Sequence, residues 1–197
     1  METVPRRRGR PRSFDADAAL AAVSRHFWAH GFAATALDDL AAATGLNRPN
    51  LAAAFGDKQA LYLAALARYR AGLQAGIANS LAAPGPLAMR LSSFYAAAIA
   101  LYTADAATPG CFILTTAPAE SAQLPAIRSA LAAVLAEIDA ALLACFTAAG
   151  GADPAARAGL AAALLHSLAV RARAGADAAS LLALAHDGVR LLAGSAD

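Results

Sequence analysis

Five arginines, Arg6, Arg7, Arg8, Arg10 and Arg12, fall within seven residues, with Gly9 and Pro11 between them. Fixed positive charge at this density suits a polyanion. Gly9 would let the backbone lie against a narrow groove floor while flanking guanidiniums enter its negative potential. A basic tail touching phosphates non-specifically is the other reading, and both place the arm on nucleic acid. Further along, Asn47-Arg48-Pro49-Asn50 puts a guanidinium and an amide where a helix should begin, within reach of major-groove base edges and phosphates. Lys58 falls in the first turn of the next expected helix, the unfavourable dipole end for a cation. A DNA phosphate meeting both its ammonium and the free N–H groups there is the expected partner.

Other chemistry is not indicated. The chain carries no Gly-rich phosphate loop, nucleophile elbow, HExxH, paired CxxC or Ser/His/Asp arrangement, so no enzyme is expected. His26 and His30 are four apart but have no third ligand at motif spacing, and His166 and His186 read as polar groups within the last two helices. Cys111 and Cys145 read as two buried thiols, and no metal or cofactor is expected.

The elements that must hold these residues are helices. Nearly a third of the residues are alanine, β-branched residues are sparse, and no segment alternates over a strand's length. Gly and Pro punctuate an all-α chain of about nine helices: 15–30, 35–44, 47–55, 57–81, 87–105, 110–117, 125–149, 154–173 and 177–193. Asp15, Thr35, Asn47 and Asp57 are the expected N-caps of the first four, and Pro118 the expected stop of the sixth. Two short helices joined by a tight turn at Gly45 meet the requirements of a helix-turn-helix over residues 35–55.

Charge and hydropathy agree with that reading. Residues 1–70 hold a net +4 and residues 71–197 a net −2, so the basic half should face the polyanion. Hydrophobic residues make up 59%, but the longest apolar stretch, 129–150, is interrupted by Glu137 and Asp139 at helical spacing and reads as an amphipathic helix with no membrane partner. The basic start lacks the apolar run of a signal peptide, so a cytoplasmic address is expected.

The wording Gly31-Phe32-x-x-Thr35-x-Leu37-x-Asp39-Leu40-Ala41-x-x-Thr44-Gly45-Leu46, followed by Leu51-x-x-x-Phe55-x-Asp57-Lys58-Gln59-x-Leu61, closely resembles the TetR family signature over about residues 13–73. The resemblance implies a dimeric, ligand-responsive DNA-binding protein, usually a repressor, that dimerises through its last two long helices. Matching DNA-contact positions are Thr35, Asn47, Arg48, Pro49, Asn50 and Lys58. Ala52 and Ala54 depart from the pattern, since the family usually has aromatic residues there that reach the DNA backbone. Arg8-Gly9-Arg10-Pro11 further resembles the core of an AT-hook.

Three segments follow: a basic arm at 1–12, a DNA-binding domain at 13–73 with its helix-turn-helix near 36–55, and a ligand-binding and dimerisation domain at 74–197. Phe94, Tyr95, Ile99, Tyr102, Cys111, Phe112 and Thr115 are the candidate contacts of a small, mostly apolar effector. Leu160, Leu164 and Leu168, with Leu181, Ala185, Gly188, Val189 and Leu192, are the candidate homodimer interface. The function expected is a sequence-specific transcriptional regulator whose partners are operator DNA, an effector and a second copy. The alternative is a TetR-like dimer that has lost operator binding and acts through ligand or protein partners.

Overall fold

The computed structural model describes residues 14–194. Among them are nine α-helices and no strand: α1 Ala16–His30, α2 Leu37–Thr44, α3 Arg48–Phe55, α4 Lys58–Leu81, α5 Leu87–Thr103, α6 Phe112–Ser121, α7 Pro125–Ala149, α8 Pro154–Arg173 and α9 Ala178–Ala193. Side-chain caps start several of them. Asp15, Asn47, Asp57, Asp153 and Asp177 each accept a hydrogen bond from a backbone N–H in the first turn that follows.

Several helix ends differ from expectation. Thr35 does not cap α2: it is buried, and its hydroxyl donates to the Gly31 carbonyl at 2.7 Å. Asp39 serves the start of α2 instead, accepting from the Ala36 N–H at 2.7 Å. Pro118 does not stop α6, which runs on to Ser121. The proline sits on the exposed side of the helix, where water can replace the missing donor. Gly110, the expected start of α6, lies before the helix at φ 81°, and glycine is required there because a Cβ would come within 2.6 Å of the Ala169 carbonyl of α8.

The helices share one continuous apolar core that runs from Val23 and Leu40 to Leu192, with α4 crossing residue 73 as an unbroken helix. Arginines tie helix ends from a distance. Arg173 Nη1 and Nη2 donate to the Trp28 and Ala29 carbonyls at the end of α1, at 2.9 and 3.1 Å. Arg157 donates twice to the Leu192 carbonyl at the end of α9, at 3.0 and 2.6 Å. Each satisfies carbonyls that have no partner within their own helix and places a cation at the negative dipole end.

Among the described residues α7 is long and apolar enough to cross a membrane by length and composition. It is packed on this core through Ile127, Val134, Ile138, Leu142, Cys145 and Phe146, and its Glu137 pairs with Arg70 of α4.

Two glycines separate close approach from helix propensity. Gly110→Ala meets both a positive φ and a backbone oxygen, so it should cost about 2 kcal/mol or more of stability. Gly159→Ala, within α8 and facing open space, should instead gain about 0.5–1 kcal/mol. Urea unfolding of both variants reads the difference, and equal midpoints would contradict this account of Gly110.

Candidate nucleic-acid interface and interior cavity

The helix-turn-helix is built from α2 and α3. Leu40 and Leu51 anchor it in the core, and Leu37, Leu46 and Phe55 pack against them. Gly45 supplies the left-handed residue of the turn at φ 68°. Thr44 closes it, its hydroxyl donating to the Leu40 carbonyl and accepting from the Leu46 N–H. Asn47 then caps α3 by accepting from the Asn50 N–H at 2.9 Å.

This geometry leaves Asn47, Arg48, Pro49 and Asn50 exposed on one helix start. Arg48 reaches back to α2, where its Nε donates to Asp38. Lys58 is not the partnerless cation that its dipole position suggested. Its ammonium lies 4.4 Å from the Phe32 ring centroid and donates to the Ala33 carbonyl at 3.4 Å. The α4 start beside it is occupied too, by the Asp57 carboxylate that accepts from the Ala60 N–H. Buried Thr35 presents no side chain to solvent. Ala52 is exposed and Ala54 half-buried, so position 52 offers a methyl group where a longer side chain could project outward. Arg6, Arg7, Arg8, Gly9, Arg10 and Arg12 lie outside the described residues.

Behind this surface an aromatic cluster joins α1, α4 and α6. Trp28 stacks on Phe112 at 5.8 Å and meets Tyr69 edge-on at 5.1 Å, while Tyr62 meets Phe27, Phe32 and Phe112 edge-on. The Thr116 hydroxyl gives its proton to the Phe112 carbonyl, so the Tyr62 hydroxyl donates to Thr116 Oγ1, at 2.6 Å. Burial pushes the Tyr62 phenol up to about 12. Burial also raises Tyr69, which donates to Cys111 Sγ at 3.4 Å, and the Cys111 thiol itself.

Next to Cys111 lies a cavity of about 90 Å³ between α4, α5, α6, α7 and α8. Phe94, Tyr102 and Cys111 line it as expected. Tyr95, Ile99, Phe112 and Thr115 do not: Tyr95 is buried and donates to the Ala161 carbonyl at 2.9 Å, and Ile99 and Phe112 are core residues. Sequence reasoning missed the α4 wall of Gly72, Leu73, Gly76 and Ile77. Two glycines one helical turn apart were the signal, because each leaves side-chain space empty.

The last two helices also correct the expected interface. Leu168, Leu181, Ala185, Val189 and Leu192 are buried within the protomer. Gly188 is small for an internal reason, since a Cβ there would fall 2.2 Å from Leu164 Cδ2. Of the expected interface residues Leu160 is exposed, at 63%, and the outward faces of α8 and α9 carry it together with exposed Val170, Leu182 and Leu191.

Among the described residues no group of three or more His, Cys, Asp or Glu is placed to hold a metal ion. The His26 and His30 rings lie 4.6 Å apart at a tilt of 41°, and burial with the neighbouring imidazole lowers the His26 pKa.

All four tyrosines of the chain, Tyr62, Tyr69, Tyr95 and Tyr102, have raised pKa values caused by burial. Unfolded phenols ionise near 10, so above that pH the native state holds more protons than the unfolded chain. Their contribution to stability is complete below about pH 10 and is lost as pH rises towards 12 and beyond. Phenolate absorbance should therefore stay low past pH 10 and then rise together with loss of helical ellipticity. A separate phenolate titration near 10 in folded protein would contradict the burial.

Comparison with known proteins places this geometry. Residues 19–65 match the model of the family described as bacterial regulatory proteins, tetR family. The HTH-type transcriptional repressor ComR of Escherichia coli (strain K12) is 37% identical over 114 residues, 57% of this chain. That match spans 54% of ComR, about half its length. A cysteine mutant of the TetR family regulator CifR, complexed with 26-base-pair operator DNA, superposes with a TM-score of 0.82 at 26% identity, covering 92% of this chain and 98% of that one. A TetR family regulator from Agrobacterium tumefaciens shares the fold, with a TM-score of 0.79 at 20% identity over 89% of this chain and 96% of that one.

Proposed function

Since this chain belongs to the TetR family of helix-turn-helix regulators, we propose that it is a transcriptional repressor which binds operator DNA as a homodimer and is released by a small, mostly apolar effector. The carrying observation is the α3 start, where an Asn47-capped helix behind the Gly45 turn exposes Arg48, Pro49 and Asn50 together. The likeness to the CifR cysteine mutant, complexed with operator DNA, supports the same reading. Regulators of this family are not enzymes, and the cytoplasm, where the DNA is, is the matching address.

Charge assigns the work of attraction to the arm. Around the described DNA face, Arg48 and Lys58 stand with Asp38, Asp39 and Asp57, so this face has no positive surplus of its own. The five arginines of residues 1–12 supply it. The segments follow as a basic arm, a DNA-binding domain to about residue 73 and a C-terminal domain for ligand and dimerisation.

The effector site is the cavity lined by Phe94, Tyr102 and Cys111. At about 90 Å³ it is smaller than typical ligand pockets, which run to several hundred Å³. A ligand of drug size would have to push α4 and α5 apart, and α4 is the helix that begins at the DNA-binding half. The dimer surface is the outward face of α8 and α9, where Leu160, Val170, Leu182 and Leu191 would otherwise stay in water.

A second reading is favoured by one observation. Exposed Ala52 has no group to offer a phosphate, which is what a regulator fold that no longer reads DNA would show.

Titration with pooled genomic fragments at several salt concentrations separates the two. Removing residues 1–12 should weaken binding to every sequence, and each lost phosphate contact should lower the log–log salt slope by about 0.9. Ala52→Tyr should raise affinity for specific and unselected DNA together. Full-length protein that binds no fragment would favour the second reading.

Leu160→Glu combined with Leu182→Glu should convert a dimer to folded monomer at micromolar concentration, because a charge in an apolar interface is desolvated without a partner. Sedimentation velocity checks it. An unchanged dimer would move the interface elsewhere, and a wild-type monomer would remove it.

A further inference from the structure

Among the described residues, Arg48 and Asp38 form the ion pair that joins the two helices of the helix-turn-helix. Both side chains are more than half exposed, at 57% and 70%, so the pair adds little to folding stability. Adjacent Asp39 already serves the α2 start by accepting from the Ala36 N–H, which leaves Asp38 without a capping task. A carboxylate on a surface that approaches phosphates is unfavourable unless it holds a cation in place.

The atoms used identify what is held. Asp38 takes the Nε–H of Arg48, which leaves the Nη1 and Nη2 groups as a planar fork at the end of the side chain. That fork matches the O6 and N7 acceptors of guanine in the major groove. Arginine is otherwise a flexible side chain, and fixing it before contact removes part of the ordering cost on binding.

We propose that Asp38 is a positioning residue, which orients the Arg48 fork so that it reads a G·C base pair at one position of each half-site. This rests on the DNA-binding reading above. The same carboxylate repels phosphates, so it also lowers affinity for unselected DNA and widens discrimination from both sides.

The test is selection from a pool of random-sequence duplexes at one fixed salt concentration. Wild type, Asp38→Ala, Asp38→Asn and Arg48→Lys are compared, followed by titration on the selected duplex and on one with that guanine replaced by adenine. Both substituted positions are exposed, and matching circular dichroism spectra establish that the three variants are folded. Wild type should prefer guanine at one position by about ten- to a hundredfold. Arg48→Lys, which keeps charge without the fork, should lose that preference alone. Asp38→Ala should lose most of it while binding unselected DNA at least as tightly as wild type, and Asp38→Asn should recover part through its amide oxygen.

Retention of the full guanine preference by Asp38→Ala would overturn the positioning role. So would a wild-type selection with no guanine preference that depends on Arg48. If wild type enriches no sequence at all, the DNA-binding reading falls, and this inference with it.

Discussion

The contact of Arg173 with the end of α1 is the joint through which the two halves of this molecule are held in one orientation. Helix α1 ends at His30, leaving carbonyls there that no residue of its own helix can satisfy. Arg173, in the last turn of α8, answers two of them at once. The arrangement requires α8 to come close, and it does so over Gly110, where a Cβ would strike the Ala169 carbonyl. The Cys111–Phe112 start of α6 is thereby pressed under Trp28, between α1 and α4.

That joint gives the cavity a mechanical neighbour. Cys111 lines the cavity and accepts from Tyr69, and Tyr69 and Phe112 both contact Trp28 of α1. On the effector reading proposed above, a ligand that enlarged the cavity would push on the same α4 and α6 residues that seat α1. Close-packed aromatic side chains do not deform gradually, so displacement passes to the helices that carry them. Since α4 begins three residues after α3 ends, a tilt of α4 produced in this way would carry the helix-turn-helix with it.

Local features of this architecture were legible in the sequence, and long-range ones were not. Asp15, Asn47 and Asp57 cap the helices expected of them because capping is decided within four residues. Thr35 misled because a threonine hydroxyl can turn back to a carbonyl as readily as forward to an N–H, and burial settled the choice. Most of the α8 and α9 residues expected at a dimer interface are covered within the protomer, while Leu160 stays exposed. An apolar stripe states that a face is buried without stating whether α5 or a second copy covers it, and here Leu181, Ala185 and Val189 face inward. Arginine capping between helices leaves no local trace, since Arg173 lies more than a hundred residues from the carbonyls it serves.

The recognition surface shows the same division at its finest scale. Motif and cap together place Arg48, Pro49 and Asn50 on the exposed start of α3, but they do not say which guanidinium edge is free. That depends on Asp38, one turn of structure and ten residues away, at a position where the helix pattern asks only for a solvent-facing residue. The acidic side chains of this surface are thus of two kinds. Asp39 and Asp57 satisfy backbone donors at the starts of α2 and α4, whereas Asp38, also in the first turn of α2, is bonded to Arg48. On the DNA-binding reading proposed above, that much negative charge on the face and alanine at position 52 leave attraction to the arm and discrimination to few contacts. A single arginine held at a defined angle then carries more of the reading than it would on a surface richer in phosphate ligands.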